Sequence, residues 1–135
     1  QVPYEKKFFT ATAPVFFTSN GERVRSKSEI IIADTLYRMT IPYRYEFPLH
    51  LKVNGAPREF HPDFYCLNVR TRKEYLWEHF GLMDDPEYSK NACEKMRIYS
   101  ENGLIPGENL IITMESQNAP LDSKQVELLV ERWLL

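Results

Sequence analysis

The run Tyr75-Leu76-Trp77-Glu78-His79-Phe80-Gly81 constrains this chain most. Its apolar members read as a core strand, yet Glu78 and His79 sit side by side within it. A carboxylate taken out of water costs on the order of several kcal/mol unless something compensates it. Any fold for this chain must therefore give Glu78 a structural partner or a cation. Strand alternation sets Glu74, Leu76, Glu78 and Phe80 on one face and Tyr75, Trp77 and His79 on the other. The His79 ring is thus expected to point away from the side that Glu78 faces.

The whole chain suffices for one ordinary domain, with 135 residues of which 43% are hydrophobic. No apolar run reaches the ~18 residues of a membrane span. The opening QVPYEKKFF lacks a signal-peptide pattern and an initiating Met, as expected of a piece excised from something longer. Cys66 and Cys93 lie in no CxxC or Cys/His cluster. A zinc site is therefore not expected, and a reducing cytoplasm is the expected location. The net charge of −2 excludes a bulk polycation. Nucleic acid would have to bind through a local patch. Arg23, Arg25 and Lys27 form the candidate patch, which reads equally as a solvated basic turn.

Residues 1–20, rich in aromatics and Thr, read as an N-terminal arm packed on a single domain over 21–135. A helix is expected from about Ser26 to Met39, because Ser26 and Glu29 have capping-box spacing and Ile41 precedes Pro42. Three strands follow. The first is YRYEFPLHLKV, with a break at Pro48 allowed for, and the turn Asn54-Gly55 ends it. The second is EFHPDFYCLNV, and RTRK turns it into the third, EYLWEHFG, as a hairpin. A second helix starts at Asp85-Pro86 and stops at Asn102-Gly103. NLIITME is a short strand. The last segment is an amphipathic helix capped by Asp122 or Ser123, with Leu121, Val126, Leu129, Val130 and Trp133 on its core side. The fold class is α/β (α+β), with a mixed central sheet flanked by helices.

Several polar residues fit a plain core badly. Glu29 lies at one end of the apolar side of the first helix, where it also serves as a capping-box glutamate for Ser26. Asp63 follows Pro62 at the entry to a buried strand, where a lone Asp commonly binds a turn N–H. The hairpin can bring Asp63 close to Glu78. Two such carboxylates repel, and one takes up a proton unless a divalent cation sits between them. His79 reads either as a metal ligand or, more simply, as a ring hydrogen-bonded beneath the Gly81 turn. Glu46 is either a further ligand or the partner of Arg44 in a surface pair.

The pieces SKSEIIIA, HPDFY and YLWEHFG, in that order, resemble the PD-(D/E)XK nuclease superfamily, whose shared core is αβββαβ. The combination of PDF with EHFG is also similar to nuclease-like segments of some bacterial superfamily-one DNA helicases. The resemblance runs from about residue 26 to 114. It implies a restriction-endonuclease-like fold plus a C-terminal helix. It implies that Glu29 is the first-helix acid, Asp63 the metal-binding Asp and Glu78 the (D/E) of the motif. The sequence departs from the pattern where Phe80 replaces the motif Lys. Some members of the superfamily take that Lys from the following helix, which makes Lys95 the candidate and Lys90 the second choice. Tyr99, one turn beyond Lys95, would contact a phosphate or orient Lys95.

The activity so implied is Mg²⁺- or Mn²⁺-dependent hydrolysis of nucleic acid, DNA foremost, in repair or defence. Asp63, Glu78 and the backbone carbonyl of His79 would hold the ion. Arg23, Arg25 and Lys27 would hold the nucleic-acid backbone. The alternative is a catalytically inactive member that binds nucleic acid or protein. Expected partners are DNA and either a second copy of the chain or the remainder of a larger multidomain protein, with no membrane.

Overall fold

The computed structural model describes residues 15–135. The expected arm over 1–20 lies outside the described residues apart from its last six. There Phe16–Phe17 (β1) pairs antiparallel with Arg23–Val24 (β2). The chain continues with α1 (Lys27–Arg38), β3 (Tyr43–Tyr45), β4 (Leu49–Val53), β5 (Ala56–Phe60) and β6 (Phe64–Leu67). It ends with β7 (Glu74–Phe80), α2 (Pro86–Glu101), β8 (Leu110–Met114) and α3 (Ser123–Trp133). No described helix is long and apolar enough to cross a membrane.

The helix boundaries follow from local chemistry. The side chains of Ser26, Asp85 and Asp122 cap the three helices by accepting from the backbone N–H of Glu29, Glu87 and Gln125. Each satisfies a donor that the first turn would otherwise leave orphaned. Gly103, just beyond the Asn102 C-cap, has φ +79°, a conformation that ends α2 without Cβ strain.

The sheet is mixed, in the order β3-β6-β7-β8. β3 runs antiparallel to β6 and β6 antiparallel to β7, while β8 lies parallel to β7. α2 makes the crossover that a parallel pair requires. Two of the expected strands are each split. Residues 43–53 form β3 and β4, which belong to different sheets, with Glu46 at φ +52° between them. Residues 59–69 divide at His61-Pro62-Asp63 into β5 and β6. β4 and β5 instead form a separate hairpin around Asn54 and Gly55, both at positive φ. That is the type of turn whose twist suits paired strands.

Apolar residues cover both faces of the sheet. On one face Ile32 and Leu36 of α1, with Val126 and Val130 of α3, pack on Phe64, Trp77 and Ile111. On the other, Ile98 and Tyr99 of α2, with Leu51 and Phe60 of the hairpin, pack on Leu76 and Leu110. Asn102 ties the hairpin to α2, since its side chain accepts from Lys52 N–H (2.8 Å) and donates to the Lys52 carbonyl (3.0 Å). Odd-numbered β7 residues thus face α1 and α3, and even-numbered ones face α2, as alternation predicts.

Candidate functional site

Glu78 is 3% exposed and faces α2. Its Oε1 accepts from the Tyr99 hydroxyl (2.7 Å) and its Oε2 from Lys95 Nζ (3.1 Å). Those two bonds compensate the carboxylate that the strand carries into the core. Lys95 and Tyr99 are four residues apart on α2 and so share a face. Lys90 is exposed and lines no part of this group.

Asp63, 5% exposed, stands just before β6. β6 and β7 pair Phe64 with Trp77, so one further step of that register sets Asp63 opposite Glu78. Asp63 Oδ2 accepts from the His79 backbone N–H (2.7 Å), and the Asp63 carbonyl accepts from Glu46 N–H (3.0 Å). A cavity of about 190 Å³ opens beside these groups, lined by Glu78, Phe80, Tyr88, Asn91, Ala92 and Lys95. Phe80 forms an apolar wall of this cavity.

The charges are coupled. Burial pulls the Lys95 pKa down, but the Glu78 and Asp63 carboxylates outweigh it and hold the pKa above the usual 10.5. The stability that Lys95 contributes is therefore complete below about pH 10.5 and is lost as the pH rises through its higher folded value. Burial, and then Glu78 and Asp63, push the Tyr99 phenol far up, so it remains a donor. Tyr99 has no exposed surface. The expectation that it contacts a phosphate is corrected, because its hydroxyl is used on Glu78.

Sequence reasoning missed Tyr88. Its hydroxyl accepts from Gly81 N–H (3.0 Å), so its own proton remains available at the cavity wall. Burial raises its pKa, with Asp63 and Glu78 adding to the rise. The signal was present in the spacing, since 88, 92, 95 and 99 form one helical stripe.

Glu29 is placed elsewhere. Its Oε1 accepts from Arg25 N–H (2.9 Å) and from the Tyr45 hydroxyl (2.8 Å), and Tyr45 packs on Phe64 on the α1 side. Glu78 faces the opposite side. The capping box is half formed, because Ser26 accepts from Glu29 N–H while the Glu29 carboxylate turns to Arg25. Arg25 pairs with Glu46 at 2.7 Å, so Glu46 is the partner of Arg25 and not of Arg44. Arg23 lies in β2, half-buried, and Lys27 is exposed at the start of α1.

The His79 ring points to the α1 face. Trp77 Nε1 donates to Thr113 Oγ1 (3.1 Å), and that hydroxyl lies 2.7 Å from His79 Nδ1. His79 Nε2 lies 2.7 Å from Glu115 Oε1, which also accepts from Ser28 of α1. With Nε2–H donating to Glu115 and Nδ1 accepting from the Thr113 hydroxyl, every member of this chain is satisfied. A Cβ added to Gly81 would meet the ring at 3.7 Å, so the ring does lie beneath that turn. Burial pushes the Glu115 carboxyl up, but hydrogen bonds from Ser28 and His79 outweigh it and hold the pKa below the usual 4.5. Its stability contribution is complete above that value and is lost as the pH falls through the lower folded one. Glu115→Gln is expected to flatten the acid limb of the melting temperature measured by circular dichroism between about pH 3 and 7. An acid limb identical to that of the wild type would disprove this role for Glu115.

Among the described residues no three His, Cys, Asp or Glu side chains assemble into a metal-holding group. Asp63 and Glu78 are a pair without Glu29. That donor set still suits a hydrated Mg²⁺, which takes one or two carboxylates and keeps several waters. It does not suit a cation that needs a full protein cage.

The fold and site define a mixed α/β domain with a paired-carboxylate and lysine cluster at the end of its third sheet strand. No family model and no solved structure matches the chain. It is 35% identical over 109 residues to the uncharacterized protein MJ1519 of Methanocaldococcus jannaschii, covering 79% of this chain. The matched stretch spans only 8% of that protein's length.

Proposed function

We propose that this domain is a metal-dependent nuclease of the PD-(D/E)XK kind. The observation that carries the reading is the 3.1 Å contact of Lys95 with Glu78. It brings a helix lysine to the carboxylate whose own strand has Phe80 at the motif position. With the β4–β5 hairpin set aside as an insertion, the order of elements from α1 to β8 is αβββαβ, which supports a restriction-endonuclease-like core.

Asp63 and Glu78 would hold Mg²⁺ with the His79 carbonyl, and waters would complete its shell. When bound, the ion supplies a lowered water pKa and charge neutralisation at the phosphate. Lys95 orients the attacking water or meets the developing negative charge. Tyr99 fixes the rotamer of Glu78. Tyr88 and Asn91 supply hydrogen-bonding groups at the cavity wall. Arg23 and Lys27 carry positive charge to the nucleic-acid backbone, and Glu29 anchors the start of α1 in place of binding metal. The archaeal relative is far longer than the matched stretch, which suits a module working within a larger protein.

One observation favours an inactive, binding-only relative, namely that both Glu78 oxygens are already engaged. Titration of Mn²⁺ into the wild type, Asp63→Ala and Glu78→Ala, with cleavage of single- and double-stranded DNA alongside, separates the readings. The nuclease reading expects metal binding and cleavage that both variants lose. Metal binding without cleavage supports the inactive relative. Absence of metal binding in the wild type rejects the metal site.

A further inference from the structure

A second surface lies on the Glu78 side of the sheet, at its β3 edge. Arg44 pairs across the strands with Tyr65, and Tyr65 with Leu76, so their side chains share the face that carries Glu78. The hairpin and α2 bury Leu76, but Arg44, Phe47 and Glu74 stay exposed around an open groove of about 430 Å³. Phe47, 37% exposed, stands against Tyr65 with ring centroids 5.4 Å apart. The Arg44 guanidinium sits 5.2 Å from the Phe47 ring centre. The Tyr65 hydroxyl donates to Glu74 at 2.5 Å. The rim therefore carries two aromatic rings, a cation and a carboxylate.

We infer that this groove seats an unpaired base of a single-stranded nucleic acid. The inference takes the nucleic-acid substrate of the reading above and gives it a strand form. Aromatic rings on an open sheet face stack bases that are free of a duplex, and a nearby Arg adds cation–π attraction and meets phosphate. The Glu74 carboxylate and the Tyr65 oxygen accept hydrogen bonds, as the exocyclic amine of a base edge requires. A base inside a duplex stack cannot reach such an edge pocket. The chain's net charge of −2 leaves the overall field unable to bind a polyanion, so a built local site must do so.

The test is fluorescence anisotropy of labelled dodecamers, single-stranded and duplex, with the whole chain in EDTA, so that no cleavage contributes. Phe47→Ala is expected to weaken single-strand binding roughly ten-fold or more. Phe47→Trp is expected to restore it and to show indole quenching that saturates with binding. Circular dichroism melts should match the wild type, since Phe47 is a surface ring. Equal affinity in Phe47→Ala, duplex bound as tightly as single strand, or no oligonucleotide binding at all would overturn the inference. Self-association that depends on Phe47 would also overturn it, by assigning the groove to a second copy of the chain. Failure of the nuclease reading alone looks different, because Phe47-dependent binding would persist while Mn²⁺-dependent cleavage is absent.

Discussion

On the nuclease reading proposed above, Glu78→Gln is expected to lower Mn²⁺-dependent cleavage by about a thousandfold, equivalent to ~4 kcal/mol of transition-state stabilisation. The change keeps the shape of the side chain and its bond from Tyr99 but removes the charge. It would withdraw one of the two carboxylates that the proposed metal site depends on. It also leaves Lys95, whose side chain is 31% exposed, without its direct counter-ion. That loss is expected to cost about 2 kcal/mol of stability, less than removal of a partner from a fully buried pair. Lys95→Ala makes the complementary test. On the same reading it is expected to lower single-turnover cleavage about a hundredfold or more while Mn²⁺ affinity stays within a few-fold, because Lys95 would act on the transition state and not as a ligand. Cleavage by Glu78→Gln at near wild-type rates would remove Glu78 from the chemistry. A large loss of Mn²⁺ affinity in Lys95→Ala would reassign the lysine to holding the site together.

Trp77→Ala is expected to produce the largest loss of stability, ~4 kcal/mol. Trp77 has no exposed surface and lies between β6 and β8, packed among Phe64, Ile111 and residues of α1 and α3. Truncation opens a cavity in a close-packed interior. It also removes the Nε1 donor to Thr113, the residue that receives the His79 ring. The melting temperature should fall by about 10–15 °C. Trp77→Phe keeps a ring but loses the donor, and should cost only about 1–2 kcal/mol. Urea denaturation of the three proteins measures both differences. A cost below about 1 kcal/mol for the alanine variant would mean that the face packed on α1 and α3 is not the main core.

Part of the geometry of the candidate site was legible from short-range signals. Glu78 stood out since a carboxylate in an apolar strand demands compensation, and period-two alternation separated it from His79. Lys95 was reached through the resemblance alone, since Phe80 stands where the motif has Lys and some members of the superfamily take that Lys from the following helix. The RTRK turn announced the hairpin that could bring Asp63 close to Glu78, and the sheet itself supplied the register that sets them opposite. Tyr88 was overlooked although its spacing matched Lys95, because a helical tyrosine gives no sign that its hydroxyl will meet a glycine N–H in a turn. Between contacting a phosphate and orienting Lys95, the choice for Tyr99 stayed open, because helix periodicity names a face without saying how deeply that face is covered.

By itself the sequence determined what depends on neighbours within about four residues. The Ser26 and Asp85 caps, the Asn54-Gly55 turn and the in-and-out order of β7 belong to this class. Each rests on a backbone donor or a pleat that the local chain supplies. Tertiary structure alone decided the partners of charges far apart in sequence. It sent Glu29 to Tyr45 and Arg25, and Glu46 to Arg25 over an interval of 21 residues. It also split two expected strands, since only the sheet order shows that β4 and β5 pair with each other and leave the β3–β6 edge open. Pairings of that kind are set by register and layer packing, which close only once the whole sheet has formed.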